Sequence, residues 1–345
     1  DLTGTIKFVG DDAAGNVTTY YEIQSSIEDG TDGGEDGRLT FMQTLGGSAV
    51  NMLDMLSGNV VFNQDSNDVD FRVESNGNTH MIFVDAGNDH VNIGTSTDHG
   101  GVLNVEHGDN TDTLMLVSTD ADGGTGPNLT LYRKSASPAD NDDTGIINFR
   151  GRNDNSQDVE YAQIKSILVD ASDGTEDGKL ELYHMLNGSL APSLQLTSSE
   201  VVINESSNDL NFRVESNGNT HMIFVDAGND HVNIGTSSDL GATLNVNGSG
   251  YFTTADNTDT LTLRSTDDDA NSGPVLNLLR DSASPADSDL IGRIDFSAES
   301  DLGSETNYVV MKALSDDVSH GVEDGQFSIF TRVNGSETDR MTMGS

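Results

Sequence analysis

Two nine-residue stretches gather carboxylates in a way that suits a hard cation: DGTDGGEDG at residues 29–37 and DASDGTEDG at residues 170–178. Asp29, Asp32, Glu35 and Asp36, with their counterparts Asp170, Asp173, Glu176 and Asp177, offer the oxygen ligands that Ca²⁺ takes. The same residues equally suit a solvated hairpin loop, because turns select Asp and Gly for backbone reasons alone. DDDAN at residues 267–271 opens like a calcium loop, but Ser272 stands where the sharp turn wants Gly and Leu278 where a bidentate Glu belongs, so it is not an EF-hand. GGTG at residues 123–126 lacks the tandem array of a glycine-rich calcium repeat. His80 and His90, repeated as His221 and His231, could ring a symmetry axis and bind a transition metal through imidazole nitrogen. No second His or carboxylate lies at a recognisable metal spacing, and stacked or solvent-facing histidines are the other reading. There is no GxSxG, no HExxH and no GxxxxGK[ST]. With 58 acidic residues, carboxylate pairs at glycosidase separation arise by chance and carry no information. No catalytic residue and no required cofactor is expected; Ca²⁺ at the acidic loops is the ion the residues admit.

The elements that must position these groups are repeated. The run FRVESNGNTHMIFVDAGNDHVNIGTS at residues 71–96 returns unchanged at residues 212–237, an offset of 212 − 71 = 141. A long fixed period marks an array of similar units. Around it, GTIKF at residues 4–8 matches GIINF at 145–149, and Tyr20 matches Tyr161, at the same offset. A later copy restarts at an offset of 147: NTDT at 110–113 matches NTDT at 257–260, and SASPAD at 135–140 matches SASPAD at 282–287. The six-residue gain falls near GSGYFT at 248–253, a linker where a longer loop costs little entropy. The chain therefore divides into a part-knob at residues 1–58, a narrow segment at 59–107, a complete knob at 108–198, a second narrow segment at 199–247 and a third knob at 248–345. The first knob has lost its front, so the chain reads as an internal or processed piece.

Composition narrows the classes. A formal net charge of −42 against 16 Lys and Arg repels nucleic acid and anionic membrane surfaces. There is no cysteine, which removes disulfides and thiolate metal sites. At 34 % hydrophobic with 37 glycines, the chain is poor in core formers for its length, and no apolar run approaches a membrane span. The knob contains short β-rich runs at residues 113–118, 128–132, 145–149, 159–169, 179–185 and 193–196, bounded by Asp, Gly, Asn, Ser and Pro. These predict about six strands in a mainly antiparallel β-sandwich or jelly-roll-like knob, without a helix of useful length. The narrow segments hold still shorter strands, among them 60–62, 71–73, 80–84, 91–93 and 103–105, with Asn76-Gly77 as a hairpin signal. Two or three apolar positions per strand are too few for a core within one chain, and open edges invite aggregation. Intertwined copies solve both problems. A homotrimer wrapped as a β-prism or triple β-helix would set Val73, Ile82, Val84, Val91 and Ile93, with Val214, Ile223, Val225, Val232 and Ile234, against their symmetry mates; closed symmetry alone permits other orders. Phe71, Phe83 and Met81 alternate at strand period and read as packing residues rather than a sugar-stacking platform.

The 71–95 run, the motif SASPADxDxxGxIxF and the stretch YAQIKSILVDASDGTEDGKLELYHMLNGS at 161–189 resemble the repeats of bacteriophage tail-fibre and related virion appendage proteins, especially those of marine phages. The resemblance covers nearly the whole chain. In such proteins an ending similar to TDRMT at 338–342 leads towards a C-terminal intramolecular chaperone that trimerises the fibre. The resemblance implies an all-β, elongated repeat fibre on the virion surface. Its partners would be its own copies, other virion proteins and a host-surface glycan or protein receptor, with no nucleic acid and no membrane insertion. The alternatives are a cellular surface filament or calcium-stiffened adhesin and, third, a polysaccharide-degrading tail spike. The last is disfavoured by the absence of Trp and by aromatics at 6 %.

Overall fold

A computed structural model describes residues 1–344. The described residues contain strands and turns and no helix. Twenty-two strands form five sheets. The first holds β1 (Leu2–Asp11), β2 (Val17–Asp29), β3 (Asp36–Leu45), β4 (Ser48–Met55) and β5 (Val60–Phe62); the second holds β6 (Phe71–Val73), β7 (Ile82–Asp85), β8 (His90–Ile93) and β9 (Leu103–Val105). The third holds β10 (Asp142–Arg152), β11 (Asp158–Asp170), β12 (Asp177–Leu186), β13 (Ser189–Leu196) and β14 (Val201–Ile203). The fourth repeats the second as β15 (Phe212–Val214), β16 (Ile223–Asp226), β17 (His231–Ile234) and β18 (Leu244–Val246). The fifth holds β19 (Asp289–Glu299), β20 (Glu305–Asp317), β21 (Asp324–Val333) and β22 (Ser336–Met343). The chain forms two compact units, Asp1–Ile147 with Lys165–Asp177, and Asn148–Ile164 with Gly178–Ser345.

Strand order is sequential in every sheet. The knob sheets are therefore up-and-down meanders, which corrects the jelly-roll expectation. Two further expectations shift. Residues 113–118 and 128–132 carry no strand. Val60–Phe62 and Val201–Ile203, read with the narrow segments, are hydrogen-bonded to β4 and β13 as the last strands of the knob sheets.

Turn chemistry fixes the register of the large sheets. Gly46-Gly47, Asn187-Gly188 and Asn334-Gly335 are two-residue loops with positive φ at both positions, joining Leu45 to Ser48, Leu186 to Ser189 and Val333 to Ser336. That conformation matches the twist of the flanking strands. One register shift recurs beyond each turn, at Phe41/Met42, Leu182/Tyr183 and Ile329/Phe330. Asn76-Gly77, the other strong hairpin signal, is the tip of the β6–β7 hairpin: Ser75 N donates to the Asn78 carbonyl (2.8 Å) and Asn78 N to the Ser75 hydroxyl (3.1 Å), without the positive φ of the loops above. It lies in the longer 74–81 connection, where the Asn78 amide donates to the Gly94 carbonyl (2.9 Å) and accepts from His80 N (2.7 Å).

Each large sheet has one polar and one apolar face, since paired residues share a face and neighbours along a strand do not. In the first, Ile6, Ile23, Phe41, Leu53 and Phe62 form one cross-strand row; in the fifth, Ile294, Met311, Ile329 and Met341 form the equivalent row. The opposite faces carry buried polar clusters whose chemistry changes while the positions do not. Asp54, fully buried, accepts from Arg38 Nε (3.0 Å) and Nη2 (2.5 Å) and from the Thr40 hydroxyl (2.5 Å). At the same positions 141 residues on, Glu181 accepts from Gln195 (2.8 Å) and Lys179 (2.7 Å). In the fifth sheet Ser328 and Thr342 share a hydroxyl hydrogen bond (3.1 Å). Val50, Ile167 and Val310 are the buried apolar side chains among the described residues, Val310 the most completely.

Candidate functional site

The second and fourth sheets place the predicted assembly residues on one surface. Val73, Ile82 and Ile93 stand in one cross-strand row, and Val84 and Val91 in the next, two residues along each strand. The rows are completed by Val105 and by Phe71 and Leu103, which the sequence reading left out of the set. Six of these eight side chains are 37 to 60 % exposed. The fourth sheet repeats the arrangement with Val214, Ile223, Ile234 and Val246 in one row and Phe212, Val225, Val232 and Leu244 in the other. No charged side chain interrupts either octet.

The reverse face is polar and closed. Arg72, Phe83, Asn92 and Asn104 line up across the four strands. Asn92 is fully buried, and its Oδ1 accepts from Asn104 Nδ2 at 2.7 Å; Asn245 and Asn233 repeat the bond at 2.7 Å. These bonds join β8 to β9 and β17 to β18, which run parallel and so need a crossover rather than a hairpin. Gly94 opens the first crossover at φ +84°, where an added Cβ would stand 2.2 Å from the Glu106 carbonyl oxygen. Only glycine fits there. In mid-crossover Asp98 accepts from Gly100 N (2.7 Å) and pairs with His90 Nδ1 (3.0 Å), and Asp239 does the same with Gly241 and His231. The Gly100 and Gly241 N–H groups first, then the imidazoles, hold both carboxyls below their ordinary range. His80 and His221 stand edge-on to Phe83 and Phe224, at 5.3 and 5.2 Å between ring centres. The histidines thus serve as a loop tie and an aromatic partner within one copy.

The acidic loops are tied to their own backbone. Asp29 accepts from Thr31 N (2.8 Å), Glu35 from Gly33 N (3.2 Å), Asp170 from Ser172 N (2.8 Å) and Glu176 from Gly174 N (3.1 Å). The Thr31 hydroxyl and N–H lower the Asp29 pKa, as the N–H and hydroxyl of Ser172 do for Asp170. Asp36 and Asp177 begin β3 and β12, and Asp32 and Asp173 lie in the turns between strands. Among the described residues, no three His, Asp or Glu converge as a metal would require. The geometry is that of hairpin loops whose carboxylates satisfy turn N–H groups.

No family model and no curated protein matches the chain. Its surface gives an independent constraint. A folded monomer of 36.6 kDa exposes about 13,500 Å² by the usual scaling with mass, whereas this chain exposes 24,988 Å². The one-sided apolar faces just described are among the exposed surface.

Proposed function

We propose that the chain is a stretch of a structural and adhesive fibre, an exposed appendage of a phage virion, built from three copies of itself. The carrying observation is the pair of uncharged apolar octets, identical in sequence at their shared positions and set on single-layer sheets. Three copies turned towards a common axis would bury those octets and leave the Asn-bonded faces and acidic loops in water. Buried apolar area contributes roughly 25 cal/mol per Å², so sheets that are marginal alone become stable together. Interlocked copies also give stiffness without disulfides, because no copy opens without exposing its neighbours' apolar faces.

In this reading the chain has no catalytic role, and it attaches by many weak contacts whose number raises avidity. The contacts assigned to the host-surface glycan or protein are the proline-bearing loops 135–144 and 282–290. Both are pre-shaped: Asp142 and Asp289 accept from the N–H of Ala139 and Ala286 (each 3.0 Å), and Asp140 and Asp287 accept from Ala171 N (3.0 Å) and Val318 N (3.1 Å). Replacing both loops with Gly-Ser segments in the fibre of an infective particle is expected to reduce host adsorption at least tenfold while particle yield stays constant. Unchanged adsorption would remove the loops from the attachment role.

A further inference from the structure

The two strand-like runs at the front of each knob carry apolar residues without strand partners. Residues 113–118 (TLMLVS) and 128–132 (NLTLY) recur as 260–265 (TLTLRS) and 275–279 (VLNLL). None is a strand, and no main-chain N–H or C=O within them makes a hydrogen bond among the described residues. Their apolar side chains are exposed throughout, Leu114 at 70 % and Leu261 at 63 %. The second run of each pair is nevertheless held in place. Leu131 sits where a Cβ on Gly145 would meet it at 3.0 Å, and Leu278 likewise at 3.4 Å from Gly292. Arg133 binds the Asp143 carbonyl (3.0 Å) and Asp142 (3.2 Å), as Arg280 binds the Leu290 carbonyl (3.2 Å) and Asp289 (3.1 Å). Upstream, Asp109 and Asp256 close matching turns on Thr111 and Thr258. The positions are therefore reproduced from knob to knob with the hydrogen-bonding capacity unused.

Gly292 lies two residues before Ile294, on the apolar face of the fifth sheet, so Leu278 is seated on that face. Only nine residues, 119–127, separate the first pair of runs, yet they do not close a hairpin on each other. A row of free N–H and C=O groups flanked by alternating apolar side chains is the template for strand addition.

We propose that these runs are the knob's missing strands, paired main chain to main chain with a second copy of this chain, and that the resulting layer covers the apolar faces of the knob sheets. The chain carries both sides of the contact: an uncovered apolar face, and an unpaired apolar run already touching its edge, twice over. The proposal rests on the self-assembly reading. It goes further by assigning the inter-copy bonds to the knobs as well as to the narrow segments.

The test is hydrogen exchange read by mass spectrometry on the intact chain, at a concentration where light scattering reports the assembly. Exchange at residues 113–118, 128–132, 260–265 and 275–279 is expected to be slowed on the order of 100-fold against free peptide, and to speed up on dilution to single chains. An assembly whose runs exchange freely overturns this proposal and leaves the self-assembly reading standing. A single-chain mass at every concentration overturns both. Protection that persists in single chains overturns the inter-copy pairing.

Discussion

Asp54 shows how a sheet one layer thick holds a carboxylate out of water. Its two oxygens are taken by Arg38 and Thr40, and the Arg38 hydrogen bond first, then the Thr40 hydroxyl, hold its pKa below the ordinary value. A depressed folded-state pKa means that the pair's stabilisation is complete above the unfolded value, about 3.9, and is lost as pH falls through the lower folded value. Asp54→Ala leaves the Arg38 guanidinium without its main partner and is expected to cost about 3 kcal/mol, read as a lowered urea midpoint at pH 7. The difference between the variant and the parent should shrink below about pH 4. A variant as stable as the parent at pH 7 would mean that solvent already satisfies both groups. The equivalent positions in the other knobs hold Glu181 with Lys179 and Gln195, and the uncharged pair Ser328 and Thr342. The fifth sheet, with hydroxyls in place of the carboxylate, is expected to show no acid-dependent contribution from this position.

At the scale of the element, alternation carried most of the information. The residues Val73, Ile82, Val84, Val91 and Ile93 were legible as one surface because each lies in a run of strand period, and the backbone register brings them into two rows. Leu103 and Val105 were missed as members because β9 joins by parallel pairing across a nine-residue connection (residues 94–102), and nothing local in a three-residue strand announces its partner; Phe71, on β6, was read as a packing residue without being placed in the row. Asn76-Gly77 marked the turn between β6 and β7 but not the length of the connection, because the Asn78 side chain also bridges to Gly94, sixteen residues away. The runs at 113–118 and 128–132 have sound strand chemistry and lack partners within the chain, since propensity specifies a fit to a pleated surface and cannot supply the surface. The acidic loops were readable as either ion sites or turns, and hydrogen-bond geometry favours turns. If the octets are inter-copy surfaces, a carboxylate placed in each should separate the copies, because an unpaired charge is costly to bury. Ile82→Asp with Ile223→Asp is expected to reduce the solution mass to one chain at micromolar concentration, while Asn76→Asp with Asn217→Asp, in the exposed 74–81 and 215–222 connections, leaves the mass unchanged. Equal masses for the two pairs of variants would place the octets outside the contact.

The molecule as a whole is imbalanced. The chain carries a net charge of −42, repeats its uncharged apolar faces, and exposes 24,988 Å² against the roughly 13,500 Å² of an ordinary folded monomer. In the proposed assembly its own copies cover the apolar faces, and the acidic loops stay in solvent where salt screens them. The most direct test is the solution mass of residues 1–345 by light scattering with small-angle X-ray scattering, in saline and again after chelation. The account predicts three times 36.6 kDa, about 110 kDa, in a rod that keeps its mass when divalent ions are removed. A single chain of 36.6 kDa in saline would contradict it, and an assembly that falls apart on chelation would return the acidic loops at residues 29–37 and 170–178 to the role of ion sites.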